Sequence, residues 1–364
     1  MDKMKNITKT YDSTISLMKG IAIISVLVGH ASGELSFADK LVNQYHLATF
    51  FFIAGYFVKQ RDIDYIFIYV WKKVKSLYIP FVLICSSVVC MLLIISEIII
   101  GRGSLFLELK QKLACIIQGY WVSNMLESMW FVIYLFYASI MFILLKWIIK
   151  VCKLGDLFGI LLLITLLLFD RYLLIGNGDL SSFTMTLFYT TFMFFGCSFR
   201  QIKTSYDILS GSRKTQCFRL MLLLATMVFS VLISELGSVQ GMRLRSEQVF
   251  VVLLMSIIGF LFVYDLAQLL PKNNIFTNII EWCGKHSFAI MAFHAVGFRI
   301  VNLFRCSGSW SLASTYSFNM PDNVLLYVPL YIISGLAVSY ILVSIRDIIL
   351  GQMDTIKAKI NIEK

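Results

Sequence analysis

The sequence predicts an all-α protein: a polytopic membrane bundle of about ten transmembrane helices with both termini in the cytoplasm. Three observations carry this expectation. Hydrophobic residues make up 59% of the 364 and charged residues only 15%, with a mean hydropathy of +0.80, far too apolar for a soluble domain of this length. Apolar runs long enough to cross a bilayer recur along the whole chain. And 22 of the 32 lysines and arginines fall on alternate connections, against 9 on the others, which places the richer set, and both termini, on the cytoplasmic side. The net charge of +11 then describes loops held at an anionic membrane surface, and nucleic acid is not a partner this pattern points to.

The spans fall roughly at 15–33, 44–59, 77–100, 128–149, 157–175, 183–199, 218–236, 248–269, 286–305 and 324–349, the second and sixth being shortest. Between the third and fourth, "SLFLELKQKLACIIQGY" mixes apolar residues at helical spacing with Lys110 and Lys112, the pattern of an interfacial helix. Asp170 and Arg171 read as an interface pair at the end of the fifth span. The eight cysteines stand singly, without the spacing of a metal or redox site, and are expected as small apolar residues in helices. A lysine and a histidine in or beside the first apolar run argue against a removable signal peptide.

The first span, "LMKGIAIISVLVGH", carries Lys19 and His30. Eleven residues turn a helix by about 1100° and advance it about 16 Å, so both side chains share a face at different depths. Ala22, Ser25 and Gly29 form a small-residue stripe beside that face, which allows close approach of another helix. The chain has four histidines. His46 opens the second span and His294 lies mid-way along the ninth, while His286 sits at that helix's border. Three imidazoles in spans of so histidine-poor a chain point to proton chemistry. Phe50, Phe51 and Phe52 read as ordinary packing. Glu127 and Trp130 open the fourth span, where tryptophan commonly serves as an interfacial anchor. Lys72, Lys73 and Lys75, just ahead of the third span, and Lys285 are cytoplasmic cations that mark topology and are also suited to phosphate.

The ordered segments "LMKGIAIISVLVGH", "YHLATFFFIAGYF", "KKVKSLYIPF", "LESMWFVIYLF", "YTTFMFFGCSFRQ" and "IIEWCGKHSFAIMAFH" resemble integral-membrane acyltransferase family three, bacterial O-acyltransferases that decorate glycans, including fucose 4-O-acetylase-like members. The resemblance covers about 11–349 and implies one membrane acyltransferase domain over 1–364 with no soluble esterase-like domain. Its most diagnostic element is a basic residue, ten intervening residues and a histidine, here Lys19 and His30. Many members carry arginine first, and lysine keeps the charge but loses the planar fork. The implied activity is transfer of an acetyl or other short acyl group from acetyl-CoA or a related acyl-CoA to a sugar hydroxyl, on a glycan or lipid-linked sugar acceptor, in the bacterial inner membrane. On this reading His30 is the general base. His46, His294 and Trp130 are candidate oxyanion donors, with Glu127 beside them. Lys19, Lys72, Lys73, Lys75 and Lys285 face the coenzyme, and no metal is called for. A polysaccharide polymerase, a lipid-linked glycan transporter or a proton-coupled carrier would share the spans and basic loops. Large outward loops or inward-facing charges would favour the first two readings, and the outward connections are short apart from about 101–127 and 306–323; broken helices or inverted repeats would favour the carrier, and the sequence offers neither.

Overall fold

The computed structural model describes residues 13–33, 36–100, 105–120, 128–169, 182–233, 249–272, 274–308 and 324–362. Every regular element among them is helical: α1 Ser13–Ser32, α2 Phe37–Asn43, α3 His46–Tyr56, α4 Gln60–Asp64, α5 Ile66–Lys73, α6 Ile79–Ile100, α7 Leu105–Ile117, α8 Trp130–Val151, α9 Asp156–Phe169, α10 Ser182–Ser210, α11 Arg213–Ile233, α12 Val249–Leu269, α13 Ile275–Lys285, α14 Ser287–Arg305 and α15 Val324–Ile362. Seven helical stretches among the described residues are long and apolar enough to cross a membrane. The expected spans at 44–59, 157–175 and 183–199 are not in that set. The first appears as α3, 11 residues long, the second as α9, 14 residues, and the third as α10, long at 29 residues but threaded with threonines. The Asp170 and Arg171 pair lies outside the described residues.

The first of these spans is the hub. In α1, 72% of the apolar window is buried, against 11% in α11, so a helix that looks on sequence like any other span is enclosed by protein. It ends at Gly33, whose φ of 86° lies in the left-handed region that glycine adopts without a Cβ penalty. Ser36 then caps α2 by accepting from the Asp39 amide at 3.1 Å, the usual device for an orphan N–H at a helix start. Ser25 of the expected packing stripe shares a 2.9 Å hydrogen bond with Tyr45 Oη, which ties α1 to the α2–α3 junction.

Two glycine contacts set how close the helices come. A Cβ on Gly20 would fall on the Ile280 carbonyl, and one on Gly284 on the Ser16 carbonyl, so α1 and α13 run antiparallel with their backbones touching. Gly55 and Gly196 make the same reciprocal arrangement between α3 and α10, against Met193 and Phe52. With a neighbour that close, α3 is wrapped on all sides: Phe50, Phe51 and Phe52 are 8%, 0% and 1% exposed, and Phe51 stacks on Tyr189 at 4.3 Å. They are core residues, the packing role read from sequence, which left lipid-facing and core packing open.

Three placements correct the sequence reading. Residues 272–285, read as a connection, contain α13, an amphipathic helix too short to register as a span. Lys72, Lys73 and Lys75 lie within a helical run from Ile66 to Ile100 rather than ahead of one. That run is interrupted by a π-helical turn, Val74–Tyr78. Pro80 lacks an N–H and its ring crowds the carbonyl four residues back, and a wider turn accommodates both. Arg299 and Arg305, counted with the outward connections in the charge tally although the expected span 286–305 contains them, lie inside α14. Ion pairs tie the ends of the other helices together. Lys146 meets Asp156 at 2.5 Å and Lys150 pairs with Asp64, whose carboxyl it holds below the usual range. Arg219 grips the fully buried Asp265 through two nitrogens, at 2.7 and 2.6 Å.

Candidate active site

α1 and α14 bring two of the predicted histidines into direct contact. His30 Nδ1 lies 2.9 Å from His294 Nε2, and the rings stack with centroids 5.1 Å apart at 24°. His294 is fully buried. Its Nδ1 lies 2.8 Å from the Ile290 carbonyl and 3.1 Å from that of Met291. Carbonyl oxygens only accept, so Nδ1 of His294 carries the proton, and in the neutral ring Nε2 is an acceptor. The 2.9 Å bond therefore runs from His30 Nδ1–H to His294. That fixes the tautomer of His30, whose Nε2 keeps its lone pair.

His46, 4% exposed, presents Nδ1 to the Val42 carbonyl at 2.7 Å. Two of the three imidazoles of the sequence reading thus meet directly, and the third opens α3, which packs against α1. The fourth, His286, precedes α14 and contacts Trp282 instead, with centroids 4.7 Å apart. The same accounting restricts the expected oxyanion donors. In neutral form His46 and His294 each spend their one ring N–H on a backbone carbonyl. Trp130 remains with an indole N–H. It begins α8, is 8% exposed and packs among Phe131, Tyr134 and Tyr189. Glu127 lies outside the described residues.

Ser128 was missed by sequence reasoning. It is 2% exposed and donates to the Met291 carbonyl at 2.8 Å, the same oxygen that His294 Nδ1 approaches, so it moors the start of α8 to the histidine pair. A serine between Glu127 and Met129 carries no signal on sequence. Beyond His294 the polar lining of α14 continues. Asn302 is fully buried and accepts from Tyr331 at 2.5 Å, Arg305 donates to the same hydroxyl at 3.0 Å, and Arg299 is 4% exposed.

Lys19 is half-buried at the opposite end of α1. Ile23 and Val26 lie between it and His30 on their shared face, at 0% and 1% exposure, so the two polar residues are joined by an apolar path. Lys73 is half-buried, with its ammonium 5.3 Å from the ring centre of Tyr69. Lys72 is turned to the surface, 3.7 Å from Asp62 with its side chain 66% exposed. Lys75 lies over Trp71 at 5.2 Å. Lys285 pairs with Glu281 one turn back at 3.0 Å, away from the others.

Neither a curated protein nor a solved structure matches the chain. A family model described as an acyltransferase domain matches residues 12–344. With nearly the whole chain covered, and with seven apolar helices of spanning length among the described residues, this is a multi-pass membrane protein that belongs to acyltransferase family three.

Proposed function

We propose that the protein is an O-acyltransferase that moves an acetyl group from acetyl-CoA to a hydroxyl of a cell-surface glycan or its lipid-linked precursor. It sits in the bacterial inner membrane with about ten spans and both termini cytoplasmic. The observation that carries the reading is the His30–His294 bond. His30 Nε2 faces the reaction with a lone pair, and the bond at Nδ1 holds that tautomer. As the sugar oxygen attacks the thioester carbon, His30 takes the hydroxyl proton, the step that makes a poor nucleophile competent. The developing imidazolium is stabilised through Nδ1–H by His294 Nε2. The tetrahedral intermediate places charge on the former carbonyl oxygen, where Trp130 is the remaining candidate donor. Collapse re-forms the carbonyl and expels sulfur, and His30 returns the proton to it, leaving free coenzyme A and the sugar ester.

Lys19 and the Lys72–Lys75 segment stand on the cytoplasmic side of this scheme, where the donor is made, and His30 stands toward the outer half of α1. The donor enters from the cytoplasm, its thioester reaching His30 past Ile23 and Val26, and the acceptor approaches from the other side. Mass spectrometry of surface glycans tests the reading. Cells with the wild-type protein carry a species heavier by one acyl group that disappears under mild alkali, and cells with a His30→Ala protein of normal abundance do not. Identical glycans in the two strains overturn it.

A further inference from the structure

α14 and α15 touch at one level and part at the next. A Cβ on Gly297 would fall on the Ser334 carbonyl, and the Ser334 hydroxyl donates to the Gly297 carbonyl at 2.8 Å. Past that contact, toward Arg305, a groove of about 290 Å³ opens between the helices. Its walls are apolar and bilayer-facing: Ile300 and Phe304 on α14, Leu330 and Ile333 on α15. Arg305 and Tyr327 form its end. An arginine at the end of a span commonly snorkels to the headgroups. Arg305 instead is half-buried and turned to protein, its guanidinium carbon 4.2 Å from the Tyr327 ring centre and one N–H donated to the Tyr331 hydroxyl at 3.0 Å. Tyr331 continues inward by donating to Asn302, and both are fully buried. Its ring packs on Phe298 at 5.1 Å, and Phe298 packs on His294 at 5.5 Å. Arg305 thus stands where an apolar outer groove meets a buried polar column leading to the histidine pair.

We infer that this groove docks the acyl acceptor as a sugar linked to a polyprenyl phosphate, with the chain between α14 and α15, the phosphate on Arg305 and the sugars turned inward along Tyr331 and Asn302. The inference rests on the acyltransferase reading above and narrows its acceptor to the lipid-linked form. Charge complementarity selects the phosphate. A guanidinium held flat over Tyr327 presents its N–H fork to phosphate oxygens, while the walls beside it offer only apolar contact. A phospholipid brings two chains to a groove bounded by two helices, and it has no group to place on the inward column, whose hydroxyl and amide suit sugar hydroxyls. In the orientation proposed above, Arg305 lies at the outward end of α14, level with the outer headgroups. Eleven residues separate it from His294, about 16 Å of helix. One sugar ring does not span that distance, so the ring acylated lies farther along the glycan than the one attached to phosphate.

The test is titration of full-length protein in phosphatidylcholine nanodiscs with a long-chain polyprenyl phosphate, and separately with phosphatidylglycerol, read by native mass spectrometry. Wild type binds one polyprenyl phosphate at least about tenfold more tightly than phosphatidylglycerol. Arg305→Gln weakens that binding at least about tenfold, the range for hydrogen bonds to a charged group, and Arg305→Lys, which keeps the charge without the fork, falls between. Ile333→Trp fills the groove from a position 62% exposed and weakens binding by a similar factor, whereas Ile348→Trp, 61% exposed on the same helix beyond the groove, leaves it unchanged. Equal affinity for the two lipids, or for wild type and Ile333→Trp, overturns the groove as the acceptor's site. Thiol release from acetyl-CoA with a soluble polymeric glycan separates this failure from that of the reading beneath it. Release by a wild type that binds no polyprenyl phosphate overturns the groove alone, and no release with either form of acceptor overturns the acyltransferase reading and the groove with it.

Discussion

A carbonyl oxygen decides what the central histidine can do. Because Ile290 and Met291 hold the His294 proton on Nδ1, His294 accepts a hydrogen bond from His30 Nδ1–H and holds that ring in one tautomer. In the proposed mechanism His294 is a positioning residue, and its substitution separates that role from packing. His294→Ala lowers kcat at least about tenfold with little change in KM for the donor, within the range that general-base catalysis contributes. His294→Gln, whose amide oxygen can accept from His30, recovers part of the loss. Equal activity of the two variants would assign His294 to packing alone. Ser128 acts one step further out, since its bond to the Met291 carbonyl is shared with His294, and Ser128→Ala is expected to cost less than His294→Ala in the same assay.

At the scale of elements, close backbone contact sets the depth and angle at which the histidines meet. Met193 and Phe52 leave no room for a side chain at Gly55 or Gly196. Gly55→Leu forces α3 and α10 apart at a cost of about 3 kcal/mol or more, seen as loss of monodisperse protein on size exclusion. What could be read from sequence divides along the same physical line. Length and hydropathy announce α1, α8, α12 and α14, because a span must be long and apolar. They overstate α3, which is apolar all round because protein surrounds it. They pass over α13, whose polar face breaks its hydropathy, although its Gly284 backbone contact places α1. The joint face of Lys19 and His30 was legible because helical phase is a property of sequence. Ser128, Tyr45 and the unequal fates of Lys72, Lys73 and Lys75 were not, since hydrogen-bond partners and a π turn arise only when helices meet.

For the whole molecule, the buried pairs hold the peripheral helices to the hub. Asp265 is fully buried beneath Arg219, with Tyr206 donating to the same carboxylate at 3.2 Å. Asp265→Ala strands that cation and is expected to cost about 3–5 kcal/mol, read as a fall in Tm in detergent. Lys72→Ala, which removes an exposed pair, moves it by no more than about 1 kcal/mol. The stability elements lie on α10, α11 and α12, whereas the proposed chemistry lies on α1 and α14, so the two can be varied separately. The central claim is that an imidazole held by a second imidazole takes the proton of an attacking alcohol. The most direct measurement is release of free thiol from acetyl-CoA by purified protein with acceptor glycan present. Wild type releases thiol in step with ester formation, and His30→Ala binds coenzyme A but releases none above the rate without protein. Thiol release by His30→Ala at the wild-type rate would contradict the account.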